Sequence, residues 1–259
     1  MMLNFIFFLT LHAGVAGEFG SIQAAIDSAS DGDVIKVPPG IYQERIDFRG
    51  KSLQIIAWDF DSDRPGTPID HVIIAPKGGP VVTMSVMQIP LNNQGRVEMV
   101  LEGFTVTGGT AERGGGIYIS GNVFAEVYRC VILGNLAISA GGAKAGYGGG
   151  IFLEGNASLT LLSSLIVRNS AQEKGAALYA SGAPGLEVRR GKLNIVNCTI
   201  AENLSPGPAV YLAGMRGETC IVNNIIWGND GGDFQSETDV PAKCNIPVSY
   251  THLTLPTKA

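Results

Sequence analysis

The sequence predicts an all-β fold, a solenoid in which coils of parallel strands stack on one another. Two short apolar motifs recur at intervals of one coil, and both are rich in β-branched residues, as strands are. No helical pattern of 10–15 residues lies between them, which excludes βαβ units. Coils that each present an apolar face bury it by stacking, so the repeats form one continuous core.

Composition and charge exclude several other classes of protein. The 259 residues are 45% hydrophobic, which is sufficient for a packed core and excludes a disordered chain. The 35 glycines follow no period of three, which excludes a collagen. A net charge of −5 gives no electrostatic footprint for nucleic acid. The length fits one large domain or two small ones.

The N-terminal residues predict a secretory signal peptide. Met2–Leu11 is an uncharged apolar run, too short for the ~20 residues that span a bilayer. Small residues follow it, which predicts a signal peptide over residues 1–16 with cleavage near Ala16 or Gly17. No Lys or Arg precedes the run, so a buried first strand stays the alternative. No other segment is apolar enough to cross a membrane.

The C-terminal residues Pro247–Ala259 break every earlier pattern. They resemble translated adapter sequence, so we expect a non-native tail over residues 247–259. The predicted domain then covers residues 17–246, and we expect the natural chain to continue past Ile246.

A short amphipathic helix is predicted before the first coil. Ile22, Ala25 and Ile26 lie at helical spacing, and Ser21 is a suitable N-cap. Such a helix would cover the open end of the core and its free strand edges. The strand-like runs that follow are Val34–Val37, Ser52–Ala57, Val72–Ala75, Val81–Met84 and Val97–Val106.

The first repeated motif ends at an asparagine in four of its five copies. The copies are Leu101–Gly109, Tyr128–Asn135, Leu162–Asn169, Val196–Asn203 and Val222–Asn229. We expect these asparagines to stack at a tight turn, because Asn tolerates left-handed backbone and its amide can bond to the next coil. The second motif follows as Gly114–Ile119, Gly148–Leu153, Gly175–Ala180 and Gly207–Leu212.

Two coils contain extra residues between these motifs. The spacing places insertions at Leu136–Tyr147 and Ala180–Lys192. Insertions in solenoids protrude as loops, often on the working surface.

These motifs carry a resemblance to a known family. The segments SIQAAIDSASDGDVIKVPPGIYQERIDFRGKSL, LEGFTVTGG, GGGIYI, NCTIAEN and NNIIWGN resemble the pectin-lyase-like superfamily, from about Gly20 to Gly232. The repeats are also similar to those of chlamydial polymorphic outer-membrane proteins. The resemblance implies a single-stranded right-handed parallel β-helix. It implies no single function, because this superfamily includes lyases, hydrolases and adhesins.

An aromatic residue recurs between two aliphatic residues in the second motif, at Tyr118, Phe152, Tyr179 and Tyr211. Alternate residues of a strand face opposite ways, so inward aliphatic residues place the aromatic rings on the outer wall. We expect either a ladder that stabilises the sheet or an exposed stripe that stacks on sugar rings; rings that face inward are the third alternative.

An acidic segment, Trp58–His71, resembles a calcium loop in spacing. Asp59, Asp61, Asp63 and Asp70 could supply the oxygen ligands that Ca²⁺ prefers. Arg64 stands where such a loop needs glycine, so a solvated polar loop is the alternative.

Basic residues within the second insertion form a weak candidate site. Arg189, Arg190 and Lys192 could bind an acidic glycan, or they could lie in a plain solvated loop. No catalytic motif of the family matches any position, so no catalytic residue is assigned.

The four cysteines lie at positions 130, 198, 220 and 244. Cys130 and Cys198 occupy one repeat position two coils apart, about 9–10 Å, which is too far for a disulfide. We expect both to be small buried fillers. Cys220 and Cys244 could pair near the C-terminal end.

Three functions follow as hypotheses. We favour a secreted or cell-surface module, monomeric and non-catalytic, that contacts polysaccharide or a cell-surface glycan. The second is a polysaccharide lyase or glycoside hydrolase with its site on the two insertions. The third is a structural spacer of a longer surface protein.

Overall fold

The computed structural model describes residues 9–13, 18–59, 63–76, 78–86, 97–141, 145–182, 191–215, 217–237 and 248–249. The elements up to residue 107 are β1 (Thr10–His12), α1 (Ile22–Ser28), β2 (Val34–Val37), β3 (Gly40–Tyr42), β4 (Ile46–Asp47), β5 (Leu53–Asp59), β6 (Arg64–Pro65), β7 (His71–Ile74), β8 (Val82–Ser85), β9 (Val97–Glu102) and β10 (Thr105–Thr107). Those up to residue 182 are β11 (Thr110–Ala111), β12 (Ile117–Ser120), β13 (Val123–Tyr128), β14 (Val131–Leu133), β15 (Leu136–Ala137), β16 (Ile151–Gly155), β17 (Ser158–Leu162), β18 (Leu165–Val167), β19 (Ser170–Ala171) and β20 (Leu178–Gly182). The last are β21 (Leu193–Val196), β22 (Thr199–Ala201), β23 (Val210–Ala213), β24 (Thr219–Val222), β25 (Ile225–Trp227), β26 (Phe234–Ser236) and β27 (Val248–Ser249).

The strands stack in four sheets, and each coil adds one strand to most of them. We name these the first sheet (β1-β2-β5-β9-β13-β17-β21-β24), the second sheet (β3-β7-β10-β14-β18-β22-β25-β27), the corner sheet (β11-β15-β19) and the third sheet (β4-β8-β12-β16-β20-β23-β26). Every pairing on these paths is parallel and in register. Off these paths, β6 pairs antiparallel with β5, and Gly79 forms an antiparallel bridge with Thr110. The predicted parallel β-helix is confirmed.

The core fills the interior of the helix because alternate strand residues point inward. In β13 the burial alternates strictly, with Val123, Ala125 and Val127 buried. The neighbouring coils repeat this choice of aliphatic residue, so one hydrophobic cluster runs along the whole axis. The largest buried side chains include Phe48 and Phe104.

The run Val97–Val106, predicted as one strand, forms two. Gly103 separates β9 from β10, since its φ of 83° lies in the left-handed region and turns the chain from the first sheet to the second. Apolar periodicity continues through this turn, which is why the sequence pattern alone does not reveal it.

The predicted helix at the N-terminal end is confirmed. Ile22, Ala25 and Ile26 are buried, and α1 packs on β2 and β4. Its first amides are satisfied: Ile22 N and Gln23 N donate to the Glu44 carboxylate, and Ala24 N donates to the Ser21 hydroxyl. A carboxylate at this end also interacts favourably with the helix dipole.

We expect Ser21→Ala to lower the free energy of unfolding by about 1 kcal/mol, because it removes the side-chain acceptor at the helix N-terminus. Urea unfolding measures this loss, with Ser21→Thr as the control that retains a hydroxyl. Equal destabilisation by both variants would contradict the capping role.

The strand β1 lies within the predicted signal peptide. Thr10–His12 pairs with Val34–Lys36, and both Leu11 and Ala13 are buried. This pairing and burial match the alternative of a buried first strand. Cleavage near Ala16 would remove that strand. The signal peptide stays a prediction. Within the described part of the chain, no helix has the length and apolar character to span a membrane.

The predicted asparagine stack is present as a buried ladder. Asn135, Asn169 and Asn203 are at most 1% exposed. In each, the backbone N and the side-chain Nδ2 both donate to Oδ1 of the next asparagine at 2.9–3.0 Å, and Asn229 completes the series. The ladder holds the turn between the second sheet and the corner.

The expectation that these asparagines adopt left-handed backbone is wrong. Positive φ belongs to the residue before each one, namely Gly134, Arg168, Glu202 and Gly228. The asparagine itself points inward, where its amide can bond along the axis. The preceding residue is exposed to solvent in all four coils.

Candidate functional site

The four predicted aromatic residues form one continuous stack on the outer side of the third sheet. Tyr118, Phe152, Tyr179 and Tyr211 occupy one register column. Successive ring centroids lie 6.0, 5.3 and 5.5 Å apart, with interplanar angles of 12°, 2° and 19°. Parallel pairing one coil apart places each ring on the next, which is the stabilising ladder that the repeat predicted as one alternative.

The other alternative, an exposed stripe, is wrong for two of these rings. Phe152 is 3% exposed and Tyr211 is 4% exposed. Their faces are also occupied by neighbouring rings. They therefore cannot offer a flat surface to a sugar.

A second layer of side chains covers the ladder, and the sequence analysis did not find it. Its members precede the glycine corner in successive coils and pair by parallel bridges. Their contacts are Arg113 over Phe152 (Cζ to ring centroid 5.6 Å), Tyr147 on Tyr179 (4.8 Å between centroids) and Lys174 over Tyr211 (Nζ to centroid 4.3 Å). Cations over aromatic faces are attracted by the ring quadrupole. The sequence position that marks this layer is the residue directly before each corner glycine.

Glu154 joins the two layers at the N-terminal end of the ladder. Its carboxylate accepts hydrogen bonds from the Tyr118 hydroxyl and from Arg113 Nη1, the latter at 3.1 Å. Arg113 and Glu154 are 39% and 29% exposed, so the pair is only partly desolvated. Burial first, and then the bond to Glu154, raise the pKa of Tyr118. The phenol therefore stays neutral and donates to the carboxylate.

The C-terminal end of the ladder is closed by similar bonds. Lys174 Nζ lies 3.2 Å from the Tyr211 hydroxyl, which in turn donates to the Glu237 carboxylate. Burial, with smaller contributions from nearby Tyr147 and Glu237, raises the pKa of Tyr179 to about 12. The Tyr179 phenol is consequently neutral near pH 7.

Each end ring of the ladder has one face without an aromatic neighbour. At the C-terminal end Tyr211 lies beside Gln235 and is only 4% exposed, so the N-terminal end, at Tyr118, is the more open one. The residue beside Tyr118 on the N-terminal side of its column is Thr83, which is too small to cover the ring. A groove of about 710 Å³ opens there. We call it the head groove; its lining includes Pro80, Thr83, Glu112, Arg113, Tyr118 and Ile138.

The acidic residues of the predicted calcium loop do not converge in the described part of the chain. Asp59 Oδ2 lies 3.7 Å from Arg64 Nε across the β5–β6 hairpin, and Asp70 Oδ2 accepts from the Thr67 hydroxyl at 2.7 Å. Asp63 sits at a turn with φ of 45°, and Asp61 lies outside the described residues. No group of three or more potential metal ligands occurs among the residues that the structure describes.

The basic candidates of the second insertion are only partly placed. Arg189 and Arg190 lie outside the described residues. Lys192 Nζ pairs with Glu218 Oε2 at 2.7 Å, on the exposed surface. The acidic-glycan site stays a prediction.

The two predicted filler cysteines are buried and free. Cys130 and Cys198 flank Ser164 at one position of successive coils, where their thiols contact backbone carbonyls. Burial raises the pKa of the Cys130 thiol to about 12, which keeps it protonated and unreactive. Cys244 lies outside the described residues, so its pairing with Cys220 stays a prediction.

Comparison with protein families gives one match over more than half of the chain. The model of the right-handed β-helix region matches residues 89–245. This range contains the ladder of asparagines, the aromatic ladder and most of the head groove.

Comparison with solved structures finds the pectin methylesterase from Aspergillus niger in two forms. One is deglycosylated, and the other retains an N-acetylglucosamine stub. Each is 15% identical to this chain, covers 86% of both chains and has a TM-score of 0.40. A search of curated protein sequences gives no significant match.

Proposed function

Since the chain belongs to the right-handed β-helix family, we propose that it is an extracellular β-helix module that binds carbohydrate in the head groove without cleaving it. The observation that carries this proposal is the uncovered face of the Tyr118 ring at the groove wall. The remaining rings stack on one another and stiffen the wall behind it.

The head groove combines the two surfaces that a sugar ring requires. A pyranose has an apolar face of C–H groups, which packs on an aromatic ring, and a rim of hydroxyls, which need polar partners. Tyr118 supplies the ring, while Glu112 and Arg113 supply polar groups at the same groove. Glu154 fixes Tyr118 and Arg113 in place by bonding to both, so the site is ordered before ligand arrives.

We expect Tyr118→Ala to weaken carbohydrate binding at least tenfold, because it removes the stacking surface. The purified full chain is passed over immobilised cellulose, chitin, chitosan, xylan and polygalacturonate to find which polysaccharide retains it. The affinity for that polysaccharide is then measured by titration with its soluble oligomers. Tyr118→Phe keeps the ring and should retain binding within about threefold. A tenfold change corresponds to 1.4 kcal/mol.

The matched control is Tyr128→Ala. This tyrosine is also partly buried and points outward, but from the first sheet rather than the third. It should leave retention unchanged. Retention on no polysaccharide, or equal losses from both alanine variants, would contradict the proposal and favour a structural spacer.

One observation favours a second candidate, a polysaccharide lyase or glycoside hydrolase. Arg113 and the Glu154 carboxylate lie 3.1 Å apart beside the head groove. There the Arg could neutralise an acidic sugar, and the carboxylate could accept or donate a proton as a general base or acid. In that case polysaccharide chains would shorten over a day, and Glu154→Gln would stop the shortening. Unchanged chain length with retention supports the binding module instead.

A further inference from the structure

We propose, resting on the proposed function, that the ligand is an extended polysaccharide chain without carboxylate or sulfate groups, held along the helix axis. The head groove alone would fit a single sugar ring or two. A second concavity continues the head groove along the same corner. Together the two concavities determine the length and the charge of the polysaccharide that can bind.

The second concavity has a volume of about 540 Å³ and meets the head groove at Ile138, which lines both. We call it the tail groove; its lining includes Ile138, Ser170, Leu204, Ser205, Pro206 and Asp230. Ile138 and Leu204 are 46% and 53% exposed. The two grooves therefore form one trough with an aliphatic floor open to solvent.

The trough is longer than a single sugar. It follows one column of parallel pairs through the corner, made by Thr110, Leu136, Ser170, Leu204 and Asp230. Four coil spacings of ~4.8 Å give a length of about 19 Å. A linear chain of several sugars would contact the whole column, whereas one ring would contact only the Tyr118 end.

The charges of the trough disfavour an anionic polymer. The charged residues that line its described part are Glu112, Arg113 and Asp230. Glu154 already compensates Arg113 by an ion pair. Arg45 reaches the edge of the head groove, where its Nη1 donates to the Gly78 carbonyl beside the lining residue Gly79. Two carboxylates, Glu112 and Asp230, stand against this one cation, so the described part of the trough is net negative and a polyuronate or a sulfated glycan would be repelled. Uncharged sugars, or sugars that carry an amino group, meet no such penalty.

Chain length and charge of soluble probes test this inference. Affinity is measured by calorimetry for cellulose, chitin and xylan oligomers of two and six sugars, and for a six-sugar polygalacturonate. We expect at least one neutral hexamer to bind tenfold or more tightly than its dimer, and the anionic hexamer to bind weakest at low salt. Tightest binding of the anionic hexamer, or equal affinity for dimer and hexamer, would overturn it.

A variant at the far end of the trough separates this inference from the proposed function. Leu204→Arg should reduce hexamer affinity at least tenfold and leave dimer affinity within twofold, because the dimer occupies the Tyr118 end. Ile41→Arg is the matched control: Ile41 is 68% exposed, on the second sheet, and its substitution should change neither affinity. If Tyr118→Ala abolishes dimer binding while Leu204→Arg leaves the hexamer unaffected, the extended trough fails and the proposed function stands.

Discussion

Asn169→Ala is expected to lower the free energy of unfolding by about 3–5 kcal/mol, because it interrupts the buried ladder and leaves buried donors and acceptors without their hydrogen bonds. The Asn169 Oδ1 atom accepts from both the backbone N and the Nδ2 of Asn135, each at 3.0 Å. Its Nδ2 donates to the Ile132 carbonyl at 2.9 Å and to Asn203. Alanine leaves the Asn135 amide and the Ile132 carbonyl without these partners in a site closed to water.

Urea unfolding, followed by circular dichroism and by fluorescence, measures this loss. Asn194→Ala is the matched control, since Asn194 lies outward on β21 and donates one long bond, 3.3 Å, to the Thr160 hydroxyl. It should cost less than about 1 kcal/mol. If the two variants lose equal stability, the ladder does not hold the turn.

Gly109→Ala is expected to cost at least about 3 kcal/mol, or to prevent folding, because the corner has no space for one methyl group. A Cβ at Gly109 would lie 1.7 Å from the Gly115 carbonyl oxygen and 2.8 Å from Val81 Cγ2. The first contact is with backbone, which cannot move aside as a flexible side chain can. Gly109 also bonds to the ladder, since its amide donates to Asn135 Oδ1 at 3.0 Å.

Gly20→Ala is the control for this substitution, because a Cβ at Gly20 would meet nothing within 4 Å. We expect it to leave the free energy of unfolding unchanged within about 0.5 kcal/mol. Soluble, stable Gly109→Ala protein with an unchanged midpoint would show that the corner can rearrange. Thermal unfolding and soluble yield of the two variants decide between these outcomes.

The repeats predicted most of the fold, because each coil must bury an aliphatic face and can do so only against its neighbours. Positions such as Ile117 and Ile119 alternate in sequence and are fully buried in the structure. The helix at Ser21–Ala29 was predicted equally well, since the spacing of apolar residues and the N-cap are local properties of the sequence. The break at Gly103 was missed because it interrupts the backbone without interrupting the apolar pattern.

The sequence predicted only part of the candidate site. The aromatic column followed from the repeat, but its exposure depends on what lies over it. Arg113 and Lys174 cover Phe152 and Tyr211 from a neighbouring corner, and corner geometry is not encoded in strand periodicity. Glu154 likewise belongs to no repeated motif, and only the fold places it beside Tyr118.

The sequence by itself determined the stacked coils, the capping helix, the asparagine column and the aromatic column, because these arise from patterns that repeat along the chain. The tertiary structure alone decided which ring keeps an open face, since that depends on Thr83 lying beside Tyr118 one coil earlier. It also joined the two grooves at Ile138. Both features depend on contacts between coils rather than on the order of residues within one.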